Sequence, residues 1–210
     1  KKIVIVGATG GSAEVGCIIK DINSVEYEYE IICYLDDNKT LWGQKIYDIE
    51  VMGGASMINN FNDDTFFISG IGSQNSFIKK PKIINDWSID KKKYATIIHP
   101  SAVVSPYASI GYGSILYPNV TIGPNVKLGN FVQVLPNTNI SHHSEISDFT
   151  IINGSCLIAG GVKINNNCYI GANTSIRQNV IIGSKVLIGM SSLVLNDIPR
   201  GKIGWGSPFK

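Results

Sequence analysis

The sequence predicts two folds in series: a small α/β domain on a parallel sheet, then an all-β parallel solenoid. Near the start, an apolar strand runs through Ile3-Val4-Ile5-Val6 into Gly7 and a glycine-rich turn, and a helical stretch follows. Further on, an aliphatic residue returns at every sixth position from Val104 to Val194, sixteen times without an insertion, and only Val, Ile and Leu occur there. A period of six matches neither the 3.6 of a helix nor the 2 of a simple strand. It matches short strands joined by corners, three to a coil of eighteen residues, with the coils stacked into a solenoid.

The bulk numbers agree. A chain of 210 residues can hold one large domain or two small ones, and 44% hydrophobic content indicates a well-buried core. Only 16% of residues are charged, which suits a protein that buries surface in an oligomer. A net charge of +2 leaves no basic field for nucleic acid, and Lys91-Lys92-Lys93 reads as a solvated loop. No stretch approaches the roughly 18 continuous apolar residues of a membrane span. The start is too short for a signal peptide, so a cytoplasmic compartment is expected. Cys17, Cys33, Cys156 and Cys168 show no CxxC spacing and no clustered histidines, so no metal site is expected. Cys156 and Cys168 stand two residues before a repeat aliphatic, where Ala102, Ala108, Ser114, Val120 and Thr174 also stand, and read as small interior residues.

In order along the chain, residues 1–95 form the α/β domain. Residues 2–6 read as a buried strand, Gly7-Ala8-Thr9-Gly10-Gly11-Ser12 as the turn, and Ala13 to Ile22 as a helix. This is the opening unit of a Rossmann-like nucleotide fold. The full G-x-G-x-x-G fingerprint is missing, but bare N–H groups at a helix start still bind phosphate. A second strand, Tyr29 to Leu35, ends on Asp36-Asp37, which reach a ribose or base or else cap the next loop. Thr65 to Ser69 is a third strand, followed by the glycine-containing turn of Gly70-Ile71-Gly72-Ser73 and a helix to about Ile84. The sheet is expected to have three or four strands. Residues 96–197 form the solenoid, with Gly at 111, 123, 129, 171, 183 and 189 and Asn at 153 and 165 expected to supply positive φ at the corners. Residues 198–210 form a tail that leaves the repeat.

Three rows of aliphatics fill such a prism, so chemistry has to sit outside it. Of three histidines, His99 lies at the domain junction beside Pro100 and reads as structural. His142 and His143 occupy the outward places of one hexad. One coil on, at eighteen residues, stand Gly160 and Gly161, and one coil back Pro124 and Asn125. That leaves an open notch beside a group able to act as general base near neutral pH.

The hexad run resembles the left-handed parallel β-helix of the hexapeptide-repeat acyltransferases. Ile5-Val6-Gly7-Ala8-Thr9-Gly10, Leu35-Asp36-Asp37 and Thr96-Ile97-Ile98-His99-Pro100-Ser101-Ala102 together resemble the nucleotide-sugar N-acetyltransferases of the bacillosamine and perosamine type, grouped with sialic-acid O-acetyltransferases. The resemblance implies left-handed coiling and a homotrimer with acetyl-CoA between neighbouring helices. Ile151, Gly160, Ala172 and Gly189 match cofactor-contacting places, and the tail near Trp205 to Pro208 would close over the cofactor. Gly7, Thr9, Gly10, Gly11, Ser12, Asp36, Asp37 and Gly72 would hold the nucleotide end of the sugar. His142 matches the general base, with His143 in the place of its usual acidic partner. Glu145 and Asp148 are the alternative acids. Gly10-Gly11-Ser12 replaces the family's Gly-His-Gly. Three functions follow: acetyl-CoA-dependent N-acetylation of a nucleotide-linked deoxyamino sugar, O-acetylation of sialic acid or another glycan hydroxyl, or a non-catalytic nucleotide-sugar scaffold.

Overall fold

A computed structural model describes residues 1–210. The first domain is a five-stranded sheet. Its strands are β1 (Lys2–Val6), β2 (Glu30–Leu35), β3 (Lys45–Ile46), β4 (Ile49–Gly53) and β5 (Thr65–Ile68), in the order β3-β4-β2-β1-β5. Central β1 pairs parallel with β2 and β5, which explains its unbroken Ile-Val run: both faces are covered. Helix α1 (Gly11–Val25) starts two residues earlier than expected, because Gly10 caps it at φ 52°.

The sheet exceeds the expected three or four strands by the β3–β4 hairpin. Its two-residue turn puts Tyr47 and Asp48 at φ 48° and 68°. β4 buries Ile49, Val51 and Gly53 and exposes Glu50 and Met52, an alternation that marks a half-covered strand. The second helix, α2 (Lys80–Asp86), begins later than expected. Turns occupy residues 74–79, and Pro81 sits in its first turn, where a missing N–H does no harm.

The second domain is a parallel β-helix. Each two-residue strand pairs with the strand eighteen residues on, as in Thr121↔Asn139 and Asn139↔Leu157. Three faces result. The first carries seven strands from Ile97–Ile98 to Ile203–Gly204, the second six from Val103–Val104 to Leu193–Val194, and the third five from Ser109–Ile110 to Ile181–Ile182. From Leu116 to Val194 every residue of the aliphatic ladder is at most 4% exposed. Val104 and Ile110 are only half-buried, since no complete coil covers them. The places two residues before the ladder are interior, and their hydroxyls and thiols turn to backbone carbonyls: Ser144 Oγ to Ala159 O at 3.0 Å, Cys168 Sγ to Gly183 O at 3.1 Å. Burial pushes both Cys156 and Cys168 thiols up to about 11, so they are inert interior residues.

The corner chemistry differs from the expectation. None of the glycines at 111, 123, 129, 171, 183 and 189 has positive φ, and neither do Asn153 and Asn165. The left-handed place lies two residues further on, where Asn119, Asn125, Asn137, Asn167, Asn173 and Asn179 take φ between 58° and 62°. The glycines answer a different demand. A Cβ at Gly123 would fall 2.8 Å from the backbone nitrogen of His142, so the next coil leaves no room for a side chain. The tail also continues the spiral: Ile198 bridges Ile182, and Ile203–Gly204 pairs with Leu187–Ile188.

The first domain sits on the first face. Outward residues Ile97, Ile115, Gln133, Ile151 and Leu187 there are 0–6% exposed, whereas Val103 and Leu157 on the second face are 65% and 50% exposed. Phe77 packs against Ile151 and Leu187, and its ring lies 5.9 Å from that of Tyr169. Gln133 Nε2 donates to Ile71 O, Tyr117 OH to Gly11 O, and the buried ammonium of Lys80 to Phe131 O at 2.8 Å.

Candidate active site

The corner between the second and third faces holds the notch. His142, His143, Ala159, Gly160, Gly161, Gln178 and Asn179 line a cavity of about 480 Å³. His142 lies over Gly160: a Cβ there would come within 2.6 Å of Cε1 and 2.8 Å of Nε2 of the imidazole. Gly160 therefore gives the ring its seat, and Gly161, at φ 69°, takes the left-handed corner without adding a side chain. His143 holds the equivalent left-handed place one coil earlier, at φ 61°, which turns its ring toward its neighbour. The two rings meet edge to face, with Nδ1 of His142 3.0 Å from Nδ1 of His143. Nε2 of His143 meets the side-chain amide of Asn125 at 3.1 Å. Asn125 was not singled out from the sequence, although its place eighteen residues before His143 was visible there.

The alternative acids are engaged elsewhere. Asp148 accepts from the backbone N–H of Asn130 at 2.8 Å, and Glu145 lies 3.7 Å from Lys127 Nζ. His99 is tied to Ser101 Oγ at 2.8 Å and to Asp21 Oδ2 at 3.3 Å, so it locks α1 to the top of the helix.

The glycine-rich turn stands at the carboxyl ends of the parallel strands. Gly7 (φ 98°) and Gly10 (φ 52°) need the left-handed region, and Gly11 abuts Gly70 so closely that neither tolerates a Cβ. Ser12 is buried, and its hydroxyl faces Val6 O at 3.3 Å. Thr9 and Gly10 are exposed. Asp36 accepts from the N–H of Ala8 at 2.9 Å and of Asn38 at 2.9 Å, and Asp37 from the N–H of Ala55 at 2.8 Å. Both carboxylates thus cap backbone. Asp37 also lines a second cavity of about 460 Å³ with Ser56, Asp86 and Trp87. Gly72, at φ 148°, packs on the side chain of Ile151.

The four residues expected at the cofactor are not gathered within one chain. Gly160 lies at the notch, Ala172 and Gly189 at the corner between first and second faces, and Ile151 beneath Phe77. Gly189 is backed by Trp205, whose Cβ would lie 2.7 Å from an added Cβ. No three His, Cys, Asp or Glu side chains converge to hold a metal ion.

Residues 2–80 match the family model of the PglD N-terminal domain, and residues 161–196 that of the bacterial transferase hexapeptide (six repeats). The two matches lie in that order along the chain, one on each domain. Several solved structures share its fold along the full length. The acetyltransferase domain of PglB from Neisseria gonorrhoeae, in complex with acetyl coenzyme A, matches with TM-score 0.85 and 23% identity, covering 100% of this chain and 98% of that one. WeeI from Acinetobacter baumannii matches with TM-score 0.85 and 21% identity over 100% and 99% of the two chains. A histidine-to-alanine variant of GDP-perosamine N-acetyltransferase from Caulobacter crescentus, in complex with CoA and GDP-perosamine, matches with TM-score 0.83 and 20% identity over 100% and 96%. Comparison with curated proteins by sequence gives no match.

Proposed function

We propose that this hexapeptide-repeat protein transfers an acetyl group from acetyl-CoA to the amine of a nucleotide-linked amino sugar, with His142 as general base. The observation that carries the reading is the imidazole of His142 seated over the bare backbone of Gly160 in an open notch. His142 takes a proton from the sugar amine as the nitrogen attacks the thioester carbonyl. The tetrahedral adduct then collapses, the C–S bond breaks, and the thiolate of CoA leaves and recovers the proton. The step needs a base, proximity and little else. Two of the similar structures hold acetyl-CoA, or CoA with a nucleotide-linked amino sugar, on the same fold, which supports the choice of substrates.

The nucleotide end is assigned to the turn of Gly7, Thr9, Gly10, Gly11 and Ser12, with Asp36, Asp37 and Gly72. Only exposed Thr9, Gly10 and Asp37 offer themselves directly. Asp36, Ser12 and Gly72 act by shaping the turn. The first domain covers the first face, whereas His142 stands at the opposite edge of the prism. A sugar held by one chain therefore meets the His142 of a neighbour, and we read the active molecule as a homotrimer. In that assembly Ala172 and Gly189 of one chain and Gly160 of the next flank acetyl-CoA. Exposed Val103, Leu157 and Leu193 on the second face supply apolar contact between copies.

The test is acetyl transfer from acetyl-CoA to UDP-, GDP- and TDP-linked amino sugars, with free sialic acid as the hydroxyl acceptor, and light scattering to check the trimer. His142→Ala in an intact trimer should lower turnover by about 10²-fold or more. Near-full activity of that variant would sink the assignment, and acetylation of sialic acid alone would move it to the O-acetyl class.

A further inference from the structure

The two imidazoles of His142 and His143 meet nitrogen to nitrogen, and what lies at the far end of the pair decides which tautomer each ring takes. A neutral imidazole carries one N–H, and at Nδ1-to-Nδ1 contact one ring must donate and the other accept. The choice is made at the far end, where the amide of Asn125 meets Nε2 of His143: Nδ2 stands 3.1 Å from it, and a half-turn of the amide would put Oδ1 in that place. With the amide NH₂ inward, Nε2 of His143 accepts, its Nδ1–H donates to Nδ1 of His142, and His142 presents Nε2–H to the notch. No lone pair is then left there. With the amide oxygen inward every donor reverses: His143 Nε2–H donates to the oxygen, His142 Nδ1–H donates to His143 Nδ1, and Nε2 of His142 presents its lone pair. A half-turn of one amide exchanges the two states, because its N and O are nearly the same in shape and only the hydrogen-bond network distinguishes them.

The chemistry breaks the tie. Once His142 has taken the substrate proton, both its nitrogens are donors. Its Nδ1–H then needs an acceptor at His143 Nδ1, so His143 must carry its proton on Nε2. Only an oxygen opposite Nε2 satisfies that N–H; an NH₂ group there would set two donors face to face. No carboxylate competes for the place, since Asp148 is held by Asn130 and Glu145 lies by Lys127. The next coil places Gly161, which has no side chain, at the left-handed place equivalent to that of His143.

Resting on the base role of His142, the geometry points to Asn125 as a positioning residue whose amide oxygen, acting through His143, sets the tautomer that makes His142 a base. The relay Asn125–His143–His142 stands where an acid–histidine pair would otherwise be, with a dipole in place of a charge.

Ring-nitrogen NMR on ¹⁵N-histidine-labelled protein reads the tautomers without any assay. The expected result is His142 protonated on Nδ1 and His143 on Nε2; His142 protonated on Nε2 overturns the proposal. Kinetics give a second arm. Asn125→Gly removes the amide at a φ of 58° that glycine tolerates, and should lower kcat about tenfold with both KM values within about twofold. Asn125→Asp, which offers oxygen in either orientation, should restore kcat to within about threefold of the parent and carry the acidic limb of the pH–rate profile upward. Unchanged kcat in Asn125→Gly, or an Asn125→Asp variant as slow as it, overturns the relay. If His142→Ala is inactive while Asn125→Gly is not, the base survives and the relay fails. If the parent transfers no acetyl group, the function fails, and the NMR result still decides the relay.

Discussion

In the proposed reaction Gly160 and His142 form the smallest unit on which turnover depends. The ring rests where a Cβ would stand, so Gly160→Ala should displace the imidazole by the few tenths of an ångström or more that relieve a 2.6 Å approach. Because Gly160 has no positive φ, the fold should tolerate the change. The expected outcome is turnover lower by roughly tenfold, as misplacement of a base predicts, with a Tm close to that of the parent. Steady-state kinetics and a thermal melt check both halves. At this scale the sequence was informative about identity and silent about state. The stacking of His142 on Gly160 follows from a period of eighteen, whereas the Nδ1-to-Nδ1 contact depends on side-chain rotamers that no spacing encodes.

A single coil shows how the elements are made. Its aliphatic residues point inward because two-residue strands alternate faces, and the corner after each strand needs one residue in the left-handed region. Asn is the usual choice at that place, and His143 shares its conformation. Asn137 at φ 61° tests the point. Asn137→Val should destabilise the protein by about 1–2 kcal/mol, the penalty of a β-branched residue in that conformation, while Asn137→Gly should cost only a few tenths. Urea unfolding distinguishes them. The glycines two residues earlier were read as the corner residues. Both demands favour glycine, so the letter alone does not say which applies; only the approach of the next coil shows that Gly123 and its equivalents stand at a packing restriction.

Across the whole molecule, the first domain and the β-helix are one packed body. Lys80 crosses the boundary, fully buried, with its ammonium on Phe131 O, and desolvation pulls its pKa down to about 7. The unfolded chain holds that proton up to the ordinary 10.5, so between about pH 7 and 10.5 the unfolded state binds more protons and stability rises with pH. Below pH 7 both states carry the charge and its burial penalty is greatest. Lys80→Met removes the dependence. Relative to Lys80→Met, the parent should gain up to about 1.4 kcal/mol per pH unit above pH 7, read from urea unfolding at pH 7 and pH 9. Equal slopes for the two proteins would contradict the buried charge. The interface also had a signal in the chain: the outward places at 97, 115, 151, 169 and 187 are apolar or aromatic at intervals of eighteen residues or multiples of it, which marks a covered face.

The sequence by itself determined the β-helix, the parallel opening of the α/β domain and the notch at His142, because each rests on a local period or on neighbours a fixed eighteen residues apart. Tertiary structure decided the rest. It put the nucleotide-type turn and His142 on opposite sides of one chain, committed Asp36 and Asp37 to backbone amides, and placed Ile151 under Phe77. These depend on how two domains dock, and docking is set by the summed shape and burial of a face rather than by any run of residues along the chain.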